Sequence, residues 1–130
     1  MPRTRPARRR LSAMWRPVPG FKDRPERLTV DVRDAGGKRI RPALLLLASR
    51  LFAHSSDRMI TLGAVVEYIH TATLLHDDVI DEAATRRGRK SANSRWGNKT
   101  TVLIGDFLYT KSMAMALSQD NLQILRLLSD

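Results

Sequence analysis

The stretch MITLGAVVEYIHTATLLHDDVIDE, residues 59–82, decides how this chain folds. It has no proline and only Gly63 as a weak point, so it is compatible throughout with one long helix. Most of it is apolar, and its end is acidic. On a helix, Asp77 and Asp81 stand four apart and Asp78 and Asp81 three apart, which gathers the carboxylates around one patch. Three like charges there repel unless a cation or arginines offset them, and hard divalent cations prefer carboxylate oxygen. Magnesium keeps much of its water and shares its remaining positions with phosphate oxygens, so the spacing points to a metal-phosphate substrate rather than a closed structural ion. Taken alone, DDVID is more often a solvated helix end. His70, on the same helix, is by itself more often a satisfied core histidine than a ligand.

Working outward from that helix, Arg86-Arg87-Gly88-Arg89 forms a basic loop whose guanidinium forks match phosphate oxygens two at a time. The simpler reading makes it the ion-pair partner of the aspartates. Trp96-Gly97-Asn98 is a break, residues 100–117 resume helical character, and Leu122, Leu125 and Leu128 have the spacing of one helical face. Upstream, His54-Ser55-Ser56-Asp57 is another break, in which Ser56 or Asp57 can cap the long helix. The apolar run 43–48, with Leu51 and Phe52, is greasy on nearly every side and predicts a helix buried between others. Pro42 fits its first position, after a Gly36-Gly37 turn. Lys38, Arg39 and Arg41 beside that turn are either a second anion site or a solvated turn. No alternating strand pattern competes, so the fold is expected to be all-α.

A length of 130 residues allows one core. The apolar share of 42% and charged share of 28% place the chain among globular proteins. Arg50, Glu67, Asp77 and Asp106 interrupt every greasy stretch before it reaches the eighteen or so residues of a membrane span, so no transmembrane segment is expected. With no cysteine, a metal must be held by oxygen or imidazole. The net charge of +10 suggests an anionic partner, but Arg3, Arg5, Arg8, Arg9 and Arg10 supply half of it. Residues 1–21 contain no acid and are broken by Pro2, Pro6, Pro17 and Pro19, which describes a flexible basic leader. A targeting helix is opposed by those prolines, and a nucleic-acid arm lacks interleaved aromatics, so nucleic acid is not the expected partner.

Together, GGKRIRP (36–42), EYIHTATLLHDDVIDEAATRRGR (67–89) and WGNKTTVLIGDFLY (96–109) resemble the polyprenyl diphosphate synthases, in particular the medium- and long-chain, octaprenyl-type bacterial branch. The likeness runs from about Ala35 to Leu117 and divides the chain into a leader with a short N-terminal segment, 1–34, and the N-terminal portion of a helical domain, 35–130. It implies a partial isoprenoid-synthase helical bundle, a cytoplasmic setting and head-to-tail condensation of an allylic prenyl diphosphate with isopentenyl diphosphate, using Mg2+. By position, Asp77 and Asp81, with Asp78 supporting, would hold magnesium on the allylic diphosphate, and Arg86 would contact that diphosphate. Arg87, Lys38, Arg41 and His70 would take isopentenyl diphosphate. Ala72, Thr73, Ile69 and Val66 would line the pocket that sets product length, and the absence of a bulky aromatic among them implies a longer product. A complete synthase of this kind is more than twice as long and carries a second DDxxD on a later helix, which this sequence lacks. The expectation is therefore a truncated or incomplete chain, or a non-catalytic subunit that needs a partner to complete the bundle. A homo- or hetero-oligomer would then cover apolar surface around Leu45, Leu74 and Leu103.

Overall fold

Secondary structure follows the sequence with small displacements. A computed structural model describes residues 37–54 and 56–129. The basic leader, Gly36 and the 34/35 boundary lie outside the described residues. From Lys38 onward the chain forms one compact unit. Its helices are α1 (Ile40–Leu51), α2 (Asp57–Ile80), α3 (Ala92–Trp96), α4 (Asn98–Leu117) and α5 (Leu122–Ser129). Between α2 and α3 lies a hairpin of two short strands, β1 (Thr85–Arg86) and β2 (Arg89–Lys90), paired antiparallel with Arg86 opposite Arg89. The basic loop is thus a two-residue hairpin turn. Arg87 and Gly88 both take positive φ, 53° and 75°, the backbone that matches the twist of the flanking strands. Two-residue strands are too short to show alternation, so no periodicity announces them.

The long helix starts at Asp57, with Ser56 in the capping conformation but making no side-chain cap bond. Asp57 instead places a carboxylate in the first turn, at the positive pole of the helix. Its other end is closed by backbone geometry. Glu82 adopts φ 48°, its N–H bonds to the Val79 carbonyl and the Ala83 N–H reaches back to that of Asp78. These are the paired reverse bonds of a left-handed helix cap, a position usually held by glycine. Asp81, the cap residue just past Ile80, keeps a helical backbone and donates its N–H to the Asp77 carbonyl. At the start of α1, Pro42 occupies the third helical position rather than the first, after Arg39 in a left-handed conformation. It is tolerated because no N–H in the first turn has an intrahelical acceptor.

The core is the seam between α2 and α4. Ala64, Val65, Ala72 and Leu75 from α2, and Ile104, Leu108, Met115 and Ala116 from α4, are buried. Thr101 and Ser112 share the buried face of α4, and each satisfies its hydroxyl on its own helix, at Gly97 and Tyr109. The two helices approach tightly at Gly105, where a Cβ would collide with the His76 imidazole. The His76 imidazole therefore lies against the bare backbone of α4, within 3.3 Å of both the Val102 carbonyl and an Asp106 carboxylate oxygen. That contact fixes the register of α2 on α4 immediately before Asp77.

The expectation for α1 is not met. None of its residues is buried, and Leu44, Leu47, Leu51 and Phe52 are exposed, because among the described residues only α2 packs substantially against it. The contact uses Pro42, whose Cβ stands 3.3 Å from where Gly63 would carry one. Of the surface expected to be uncovered, Leu103 is exposed while Leu45 and Leu74 are half-buried. No described helix is long and apolar enough to cross a membrane.

Replacing Gly105 with Ala should destabilise the chain by about 1–3 kcal/mol, the usual range for overpacking a close contact. In the double variant with His76→Ala, most of that loss should be recovered; urea denaturation of the three variants measures the coupling, and simple additivity would contradict the described contact.

Candidate functional site

At the end of α2 the three aspartates do not share one patch. Asp77 and Asp81 lie roughly 40° apart around the helix and are exposed. Among the described residues, neither carboxylate is engaged in an ion pair or hydrogen bond. Asp78, roughly 100° away from Asp77, turns inward and is 3% exposed. One of its carboxylate oxygens accepts from Nε of Arg86 at 2.6 Å. Its backbone carbonyl accepts from the Ala83 N–H at 3.0 Å and from Nδ2 of Asn93 at 2.9 Å. No three of the His, Asp and Glu side chains described gather into a metal-holding group. The spacing identifies a carboxylate-rich turn, but which carboxylates face outward depends on the hairpin and α3 packing against one side of it.

The Asp78–Arg86 contact follows from burial. A carboxylate removed from water needs a charged donor, and Arg86, arriving on β1, offers Nε. Its two terminal nitrogens have no other partner among the described residues, so the guanidinium is anchored at one end and open at the other.

Two turns earlier on α2, His70 lies within roughly 20° of Asp77 around the helix. Its pKa is lowered from the usual value, first by partial burial and then by the positive charge of Arg41. Arg87 and Arg86 act in the same direction, and Glu67 opposes them. Three arginines from two separate segments therefore share one electrostatic neighbourhood with His70. Lys38 is exposed and makes no such contribution. The turn before α1 is tied to α2 by Arg39, whose Nη1 donates to Oε1 of Glu67 at 2.7 Å. Val66 and Thr73 share the Asp77 face, with Ile69 at its flank, while Ala72 lies roughly 140° away, 1% exposed on the buried face with Val65 and Leu75. Ala72 therefore belongs to the seam with α4 rather than to the aspartate face.

Several contributors had no legible signal in the sequence. Asn93 and Ser91 sit on either side of the start of a five-residue helix with no usable periodicity; Asn93 bonds to Asp78 in the last turn of α2 and Ser91 to Ala83 just beyond it. Glu67 and Arg39 carry opposite charge at a separation of 28 residues, so only the fold reveals their pairing.

Residues 26–130 match the family model described as polyprenyl synthetase. The chain belongs to this family. The octaprenyl diphosphate synthase of Escherichia coli K12 is 47% identical over 95 residues, which is 73% of this chain and 29% of that protein. The chain thus spans under a third of that relative's length. A decaprenyl diphosphate synthase from Rhodobacter capsulatus superposes with a TM-score of 0.86 at 39% identity, covering 95% of this chain and 37% of that structure. A polyprenyl synthase from Caulobacter crescentus CB15, solved with calcium and isoprenyl diphosphate, gives 0.83 at 35% identity, with 95% and 37% coverage. The all-α family fold expected from the sequence is thereby shown.

Truncating Arg86 to Ala should cost about 1–3 kcal/mol by leaving a buried carboxylate without its donor. Asp77→Ala and Asp81→Ala should each stay within about 0.5 kcal/mol; equal losses at all three positions on denaturant melts would contradict the inward and outward assignment. His70 should titrate below its ordinary value of about 6.5 when followed by its imidazole proton resonances. The unfolded chain holds that proton up to about pH 6.5 and the fold releases it sooner, so this group's stabilisation is complete above that pH and is lost as pH falls through the lowered value.

Proposed function

We propose that this chain carries the first aspartate-rich wall of a prenyltransferase site, in which an allylic prenyl diphosphate is condensed with isopentenyl diphosphate to a longer polyprenyl diphosphate. One observation carries the reading. Asp77 and Asp81 are open on the same face of α2 as His70, and His70 stands in the field of Arg41, Arg86 and Arg87. Carboxylates suited to a cation thus share a helix face with a histidine whose charging is opposed by guanidinium groups suited to an anion, which supports the reading. The synthase relatives and the diphosphate complex of a structural neighbour support the same substrate class.

In the reaction, the allylic C–O bond breaks and diphosphate leaves with the electron pair. The double bond of isopentenyl diphosphate supplies the electrons of the new C–C bond, and a proton is lost to restore a double bond. Negative charge grows on the departing diphosphate, which is where fixed positive groups lower the barrier. Arg86 would present its unengaged end to that diphosphate, held in place by Asp78. Arg87, Arg41 and His70, with Lys38 at the edge, would bind the isopentenyl diphosphate.

The donors present fit Mg2+: two hard, unengaged carboxylates at the negative end of a helix, open on one side for water and phosphate oxygen. Asp77 and Asp81 would hold the ion, while Asp78 would act through Arg86. A bound divalent ion would neutralise charge on the leaving group as a Lewis acid. Thr73, with Val66 and Ile69, would flank the route of the growing chain, and Ala72 would act only from behind, through packing.

This chain spans under a third of its octaprenyl synthase relative, and Leu44, Leu47, Leu103 and Leu127 are exposed. That surface supports assembly, with further copies or with a partner that completes the bundle, as part of the active form.

Calorimetric titration with inorganic diphosphate tests the site directly. Binding should be tighter in Mg2+ than in EDTA, and Asp77→Ala or Asp81→Ala should remove about tenfold or more of that gain, about 1.4 kcal/mol. Full magnesium dependence in both variants would withdraw the assignment.

A further inference from the structure

We infer that Asn93 is a positioning residue for the Asp77–Asp81 pair, a role that rests on the metal-diphosphate reading above. The problem it answers is local. Asp81 stands one residue past the last residue of α2, where helices fray, yet its carboxylate is useful only while it stays one turn from Asp77. The bond that closes the end runs from the Ala83 N–H to the Asp78 carbonyl, and the left-handed conformation it requires is held by Glu82 rather than by glycine. Such a cap is strained and needs support from outside.

That support comes from the start of α3. Nδ2 of Asn93 donates to the same Asp78 carbonyl at 2.9 Å, occupying its second acceptor position. The adjoining Ser91, 2% exposed, donates its hydroxyl to the Ala83 carbonyl at 2.5 Å, and its N–H to that of Ala84 at 3.1 Å. The Asp78 carbonyl in the last turn of α2, and the Ala83 and Ala84 carbonyls of the link that follows it, are thereby held by two residues of one short segment. The other end of the Asn93 amide marks the purpose of the contact. Its Oδ1 is buried and has no hydrogen-bond partner among the described residues. An apolar residue at 93 would spare the fold that orphaned acceptor, so the contribution of the amide is its single donor to α2. Arg86 is held by the Asp78 carboxylate, a contact separate from the backbone carbonyl that Asn93 supports, so Asn93 bears on the aspartate turn and not on the diphosphate-facing arginine.

The test compares Asn93→Asp, which keeps the shape but removes the donor, with Asn93→Ala, in calorimetric titrations of inorganic diphosphate with Mg2+ and with EDTA. Both variants should lose roughly tenfold of the magnesium-dependent gain, in the range found when an outer support of a metal site is removed. Binding in EDTA, which reports the arginines and His70, should stay within about twofold, well inside the tenfold that corresponds to 1.4 kcal/mol. Amide exchange at Ala83 should quicken in both variants. A selective loss in Mg2+ supports the role, whereas equal losses in both media, or no change in either, overturn it. If the unsubstituted chain itself gains nothing from Mg2+, the metal reading fails and the Asn93 role falls with it. A normal gain that survives both substitutions removes Asn93 alone.

Discussion

A carboxylate withdrawn from water and matched to one guanidinium organises this chain. Asp78 lies between two unburied aspartates, and its neutralisation by Arg86 does three things at once. It permits the end of α2 to pack against the hairpin and α3, it sends Asp77 and Asp81 outward as a pair, and it fixes the base of an arginine whose tip remains open. Pairs of this kind contribute modestly to stability because desolvation offsets most of the attraction. Removing Arg86 would leave the Asp78 carboxylate buried and uncompensated.

The second constraint is steric. α2 and α4 approach closely because Gly105 presents bare backbone to His76, and α1 reaches α2 where Gly63 lacks a side chain. Two glycines thus set the spacing of the helices on either side of the site. His76 binds the register of α2 just before the aspartates, so packing at the core and presentation at the surface are mechanically linked.

Much of this was legible in the sequence. The long helix follows from a helix-compatible run without proline, the breaks around Ser56 and Gly97 and the acidic turn from punctuation and spacing, and the order of motifs points to the family. Less legible was anything that depends on what a helix face meets. The inward turn of Asp78, the burial of Ala72 and the pairing of Arg39 with Glu67 are decided by neighbours distant in sequence. The hairpin leaves no periodic trace because its strands are two residues long, and α1 reads as a core helix because composition records greasiness, not coverage.

The unbroken course of α2 has one more consequence. His70 and Asp77 ride on a single rod, separated by a rise of roughly 10 Å and aligned because seven residues nearly complete two turns. Inserting or deleting one residue between them would swing one end by roughly 100° relative to the other and turn it toward the seam with α4. Length variation within this segment is therefore quantised: only changes of about a full turn, three or four residues, would keep both ends on one side, and those would alter their separation by roughly 5 Å.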